Sequence, residues 1–92
     1  MYAIVVRVRI APGQAESSRE ELRTQVIPRI SKAPGFVKGY WTASADHTNG
    51  ESLMVFGTKQ EAEQASDFAR SLQPPLGITV ESVDVREVVA EA

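Results

Sequence analysis

The feature that most constrains the chain is a change of hydrophobic period near its start. From Tyr2 to Ile10 the residues alternate: Ile4, Val6, Val8 and Ile10 share one parity, and Ala3, Val5, Arg7 and Arg9 the other. A period of two in β-branched residues predicts a strand, which Pro12-Gly13 ends. From about Gln14 to Ala33 the period becomes helical, with Leu22, Val26 and Ile30 four apart and Ile27 filling the stripe. A strand followed at once by a helix with one apolar face opens a β-α-β crossover.

Local signals refine this first unit. Ser17-x-x-Glu20 and Ser18-x-x-Glu21 both resemble capping boxes, which leaves the helix start open by a turn. Pro28 lies inside the pattern, removes a backbone donor and crowds the carbonyl of Thr24; a kink or a tightened final turn is expected there. Pro34-Gly35 stops the helix.

The second half repeats the order. Phe36 to Ala43 reads as a strand carrying Tyr40 and Trp41, and Ser52 to Gly57 as the next. Between them, Asn49-Gly50 predicts a tight hairpin with positive φ angles. Thr58-x-x-Glu61 is a capping box opening a helix that runs to about Leu72, with Ala62, Ala65, Ala69 and Leu72 as its stripe and Phe68 beside them. Small residues at three of those positions allow a close approach to a sheet. After Pro74-Pro75-Leu76-Gly77, the segment Ile78 to Val89 is a fourth strand with a parity fault. Ile78 and Val80 disagree with Val83 and Val85, and a β-bulge near Glu81-Ser82 reconciles them.

The order βαββαβ predicts an α+β, ferredoxin-like sandwich: a four-stranded antiparallel sheet with two helices on one face. Residues 1–92 form one domain, and a chain of this length buries roughly 60–65% of its unfolded surface. Two helices leave the other sheet face bare and rich in apolar residues. Such a face calls for a partner, and a second copy about a two-fold axis is the expected one.

Composition narrows the function classes. A formal net charge of −2, with Lys and Arg scattered among acids, argues against a nucleic-acid partner. The absence of cysteine removes disulfides, thiolate nucleophiles, iron–sulfur clusters and Cys-based zinc sites, and one histidine removes any multi-histidine site within a chain. The short apolar run at the N-terminus suits neither a signal peptide nor a membrane span, so no membrane partner and a cytoplasmic location are expected. No phosphate loop, nucleophile elbow or other cofactor motif is present, and neither a cofactor nor a metal is expected.

Four stretches carry a resemblance: the strand closed by "APGQ", the helix end "VIPRISKAPGFVKGYW", the passage "LMVFGTKQEAEQA" and the final "PPLGITVESVDVREVVA". Together they resemble the antibiotic biosynthesis monooxygenase-like (ABM-like) domains of the dimeric α/β-barrel superfamily, over nearly the whole chain. The resemblance implies a homodimer whose sheets face each other as a barrel. It also implies a small pocket per subunit, between sheet and helices or at the barrel mouth. Members include cofactor-independent oxygenases of aromatic polyketides and haem-degrading enzymes. Haem-degrading members use an Asn on the first strand, a Trp just before the second helix and a His within it. Here the first strand has no Asn, Gly57 stands at the Trp position and Lys59 to Leu72 has no His, so haem degradation is disfavoured. Polyketide oxygenases tend to use Asn and Trp near these places too, which weakens that reading.

Six residues stand out as candidate ligand contacts, and no catalytic residue is assigned. Tyr40 and Trp41 point to opposite faces; each is either core filling or a stacking surface for a flat aromatic ligand. Arg7 and Arg9 share a face of the first strand, and cross-strand pairing with Glu81, Asp84 or Glu87 is expected. The alternative for Arg7 is a place in a cavity, steadying an anionic oxygen. His47 lies in a loop beside Asp46; it is exposed, or it folds over a pocket mouth as a base. Met54 and Phe56 complete the set. Two readings follow. One is a cofactor-independent monooxygenase acting on a small aromatic or polyketide-like compound. The other is a non-catalytic homodimer that binds a hydrophobic metabolite or a protein.

Overall fold

A computed structural model describes all 92 residues. In chain order they form β1 (Tyr2–Ile10), α1 (Ala15–Glu21), a π-helical segment (Leu22–Val26), α2 (Ile27–Ile30), β2 (Phe36–Ala43), β3 (Asn49–Phe56), α3 (Lys59–Ser71) and β4 (Ile78–Glu87). The strands make one antiparallel sheet ordered β2-β3-β1-β4. This is the ferredoxin-like α+β architecture that the two changes of period predict.

The alternation of β1 decides the two faces. Ile4 is fully buried with Met54, Phe56, Ile30, Ala62 and Ala65 in one cluster, against which Val6, Val83 and Val85 pack. Burying an Ile or Phe side chain stabilises the fold by about 1.5–3 kcal/mol. Phe36 closes the cluster, edge-to-face on Phe56 at 5.8 Å between ring centroids. The parity fault of β4 is resolved as its spacing requires. Arg7 pairs with Ser82 but Val8 with Val80, so Glu81 is the extra residue of a bulge. Ile78, Val80, Val83 and Val85 thereby come to one face.

α3 begins as its capping box predicts. Thr58 Oγ1 accepts the Glu61 N–H at 3.2 Å and donates to Glu61 Oε1 at 3.0 Å. The first helix begins otherwise. Its N-cap is Gln14, with no side-chain bond, and Ser17 and Ser18 lie inside the helix, donating back to the carbonyls of Gln14 and Ala15. The turn at Gly13, whose φ is +78°, places the start one turn earlier than either serine box. At Pro28 the helix does not tighten; it widens just before, where the Ile27 N–H bonds to the Leu22 carbonyl. Pro28 offers no N–H to the Thr24 carbonyl and crowds it, and a π turn moves the bonding one residue back.

The β2–β3 connection also differs from expectation. Asn49 and Gly50 already belong to β3, and the positive φ of the turn falls on His47, at 59°. Asp46 holds this loop. Its carboxylate accepts from Thr48 Oγ1 at 2.7 Å, Ser44 Oγ at 2.8 Å and the Thr48 N–H at 3.1 Å, and these bonds keep the Asp46 carboxyl below its ordinary pKa. An Asx-type turn thus replaces the Asn-Gly hairpin, and Gly50 is freed for another use. A side chain there would meet the Thr42 carbonyl at 2.8 Å.

The face turned away from the helices is divided. Ala3, Val5, Leu53, Val55 and Tyr40 occupy one end, with Leu53 40% and Tyr40 58% exposed. The other end carries ion pairs: Arg9 Nη2 to Glu81 Oε2 at 2.8 Å and Arg7 Nε to Glu51 Oε2 at 3.1 Å. Arg9 finds its partner on β4 as expected, and its pKa is raised by the hydrogen bond and charge of Glu81. Arg7 finds its own on β3 instead, directly across the ladder.

Candidate functional site

The two helices meet the sheet differently, and the site lies in that difference. Ala62 and Ala65 are buried and let α3 lie close on β4, β1 and β3. The first helix offers Leu22, Val26 and Ile27 instead. They are only partly buried, because the helix stands off from the sheet. Between them is a cavity of about 490 Å³. Its floor is the inner face of β1 and β4, through Val6, Val8, Ile10, Ile78 and Val80. The π segment and the C-terminal end of α3 with Pro74-Pro75 close it above and at the side. A volume of this size lies within the roughly 300–1,000 Å³ typical of small-molecule pockets.

Local sequence explains how the wall is held. Trp41 comes from β2 and forms part of the lining together with Met54 of β3. Its indole lies back over Gly39, where a Cβ would stand 2.8 Å from Cη2 of the ring. Gly39 is therefore the space in which the indole sits. π-helical turns recur at functional sites, and here Leu22, Arg23 and Val26 of the π segment all reach the lining.

The six candidate residues divide by location. Trp41 and Met54 line this cavity. Phe56 is fully buried in the core beside it and does not line it. Tyr40 and Arg7 lie on the opposite face of the sheet, Tyr40 exposed and Arg7 paired with Glu51. His47 sits at the tip of the β2–β3 loop, exposed, with its backbone N–H on the Ser44 carbonyl. What the residue-by-residue reading missed is the helical wall, above all Arg19, Arg23 and Arg29, which all line the cavity. The signal was present. Arg19 precedes Leu22 by three residues and Arg23 precedes Val26 by three, which puts both arginines on the apolar side of the helix.

In sequence, no family model and no curated protein matches the chain. In structure, three similar proteins match with essentially full coverage. The haem-degrader MhuD of Mycobacterium tuberculosis, solved with two haems bound in its active site, superposes with a TM-score of 0.75 at 10% identity, covering 100% of this chain and 99% of its own. HapK of Hahella chejuensis gives 0.67 at 12% identity, over 100% and 96%. The ActVA-Orf6 monooxygenase of Streptomyces coelicolor, in complex with nanaomycin D, gives 0.59 at 17% identity, over 99% and 92%. The fold is the one these three proteins share. At these identities the likeness is one of fold.

One of these neighbours degrades haem, and a haem iron asks for particular ligands. The side chains that bind it are typically imidazole, thiolate, phenolate or thioether. The cavity lining contains no His, Cys or Tyr, and its one sulfur, on Met54, is buried in the core cluster. The lining residues do not fit a haem held by His, Cys or Tyr.

Proposed function

We propose that the chain binds a small aromatic or polyketide-like compound between its first helix and its sheet, and oxidises it with dioxygen without a cofactor. The observation that carries this reading is the largely apolar cavity of about 490 Å³ with the chain's single tryptophan in its wall. A flat ring stacks on Trp41, and the apolar floor excludes water. An acidified ring methylene then loses a proton, and the carbanion passes an electron to dioxygen. The radical pair combines as a C–O bond, and the hydroperoxide loses water to leave a ketone. The balance is CH2 + O2 → C=O + H2O, with no outside reductant. The proton leaves to solvent at the mouth of the cavity.

The missing family residues and the haem-unfit lining support a reading away from haem degradation. In the same proposal the chain acts as a homodimer, its partner covering the exposed Leu53 and Tyr40 on the sheet face turned from the helices. Light scattering on a size-exclusion column gives two chains if this holds and one if it fails.

Anthrone, whose ring methylene is acidified by two aryl groups, is the direct probe. Oxygen consumption above the protein-free rate is expected, falling about tenfold or more in Val8→Phe, which fills the floor where the reacting ring must be positioned. The alternative is a non-catalytic homodimer that binds a hydrophobic metabolite or a protein. It is favoured by one observation: the lining holds no His, Lys, Tyr or Cys to move a proton. Quenching of Trp41 by anthrone with no oxygen consumption decides for it.

A further inference from the structure

We infer that the ligand of this cavity is an apolar acid, whose carboxylate is held by Arg19 and Arg23 at the helical wall while its ring system lies against Trp41. The inference rests on the cavity being the ligand site and adds the chemical class of what enters it. The charge balance of the lining is the first ground. Three of the chain's ten basic residues, Arg19, Arg23 and Arg29, line the cavity, against one of its twelve acidic residues, Glu51. In a chain of net charge −2 this concentrates cations at one apolar opening. Glu51 turns its carboxylate away from the cavity, to Arg7 at 3.1 Å on the opposite face of the sheet.

Geometry is the second ground. Arg19 and Arg23 are four apart, about 5–6 Å between Cβ atoms on one helix face. Arg19 has no ion-pair or hydrogen-bond partner through its guanidinium. Arg23 is held only by Glu20, at 2.6 Å, in a pair about 64% and 62% exposed. Such an exposed pair contributes little and exchanges readily for a better acceptor. A guanidinium is planar, weakly hydrated and matched to carboxylate in a two-point fork, so it suits the edge of an apolar cavity better than an ammonium does. The same face carries Leu22 and Val26, so one ligand touches the arginines and the apolar wall together.

A matched pair of dyes tests this on the intact protein: anilinonaphthalene sulfonate, and uncharged N-phenylnaphthylamine, which has the same rings without the anion. Quenching of Trp41, the only tryptophan, reports that a dye is in this cavity. The sulfonate is expected to bind the more tightly, and rising salt weakens it while leaving the neutral dye unchanged. The double variant Arg19→Gln/Arg23→Gln is expected to lose about tenfold in sulfonate affinity and to keep the neutral dye. Lys32→Gln/Lys38→Gln, two exposed changes off the lining that remove the same charge, is expected to alter neither. Equal affinities for the two dyes, or the same salt response, overturn the acidic-ligand inference and leave the cavity reading intact. The salt titration needs no variant, so it decides even if the double variant fails to fold. If neither dye quenches Trp41, the cavity reading itself falls and this inference falls with it.

Discussion

The two helices of this domain lie on the same sheet and do opposite things. α3 carries alanines inward and closes on the strands, and Ala62 beneath it is fully buried. The first helix carries Leu22, Val26 and Ile27 inward, yet it stands off over an open volume. Larger side chains here do not fill the gap, and the helix stays apart from Trp41 and the β1 floor. The ends differ as well: Thr58 caps α3, whereas Gln14 starts α1 without a side-chain bond. The lesson is a division of labour. One helix is built for packing, and the other for leaving room.

The strongest way to break that comparison is to add the same kind of bulk under each helix. Ala65→Leu under α3 is expected to cost about 1–3 kcal/mol in urea unfolding, because a close-packed contact must open. Val26→Phe under the first helix adds atoms to empty space and is expected to cost less than about 1 kcal/mol, while abolishing dye binding. Equal losses in the two variants would mean that the first helix is packed as tightly as α3.

The next effect concerns the starts of the helices. Thr58→Ala removes the acceptor of the Glu61 N–H and is expected to cost about 1 kcal/mol, read as a lower midpoint in urea with an unchanged slope. A loss near zero would show that α3 is held by packing alone.

Pro28→Ala sharpens the contrast in the middle of the first helix. It restores a backbone donor and relieves the crowding of the Thr24 carbonyl. We expect a gain of up to about 1 kcal/mol, well short of the full cost of an interior proline, since Pro28 sits in the tolerated first turn of α2. The new amide at position 28 should be protected from hydrogen exchange, and the dye affinities should shift as Leu22 and Arg23 turn with the helix. Unchanged affinity and an unprotected amide would show that the π segment does not depend on the proline.

What the sequence discloses follows from how local each cause is. The strand of β1, the Thr58 box and the bulge at Glu81 are written in neighbouring residues, so periodicity and parity find them. The start of α1 misleads because Ser17 and Ser18 carry a capping pattern but bond back into the helix they seem to open. Asn49-Gly50 misleads because Asp46 builds the turn first. The ion pair of Arg7 depends on which strand lies beside β1 at that position, and both neighbours offer a carboxylate. The cavity is less legible again. It is a distance between a helix and a sheet, set by Leu22, Val26 and Trp41 together, and no single stretch records it. Only Arg19 and Arg23, at helical spacing from the apolar stripe, announce that something charged lies on its inner side.

The smallest expected effect is a test of that misleading pattern. If Ser17 were a cap, Ser17→Ala would cost about 1 kcal/mol, as Thr58→Ala does. In the structure its hydroxyl bonds to the Gln14 carbonyl at 3.2 Å and Gln14 Oε1 at 3.1 Å, both exposed, and satisfies no free N–H of the helix start. Alanine is also the better helix former, by a few tenths of a kcal/mol. The two terms oppose each other, so Ser17→Ala is expected to change stability by less than about 0.5 kcal/mol in either direction. A loss as large as that of Thr58→Ala would place the true start of α1 a turn later. The first helix would then be capped like the second, and the comparison would rest on side-chain size alone.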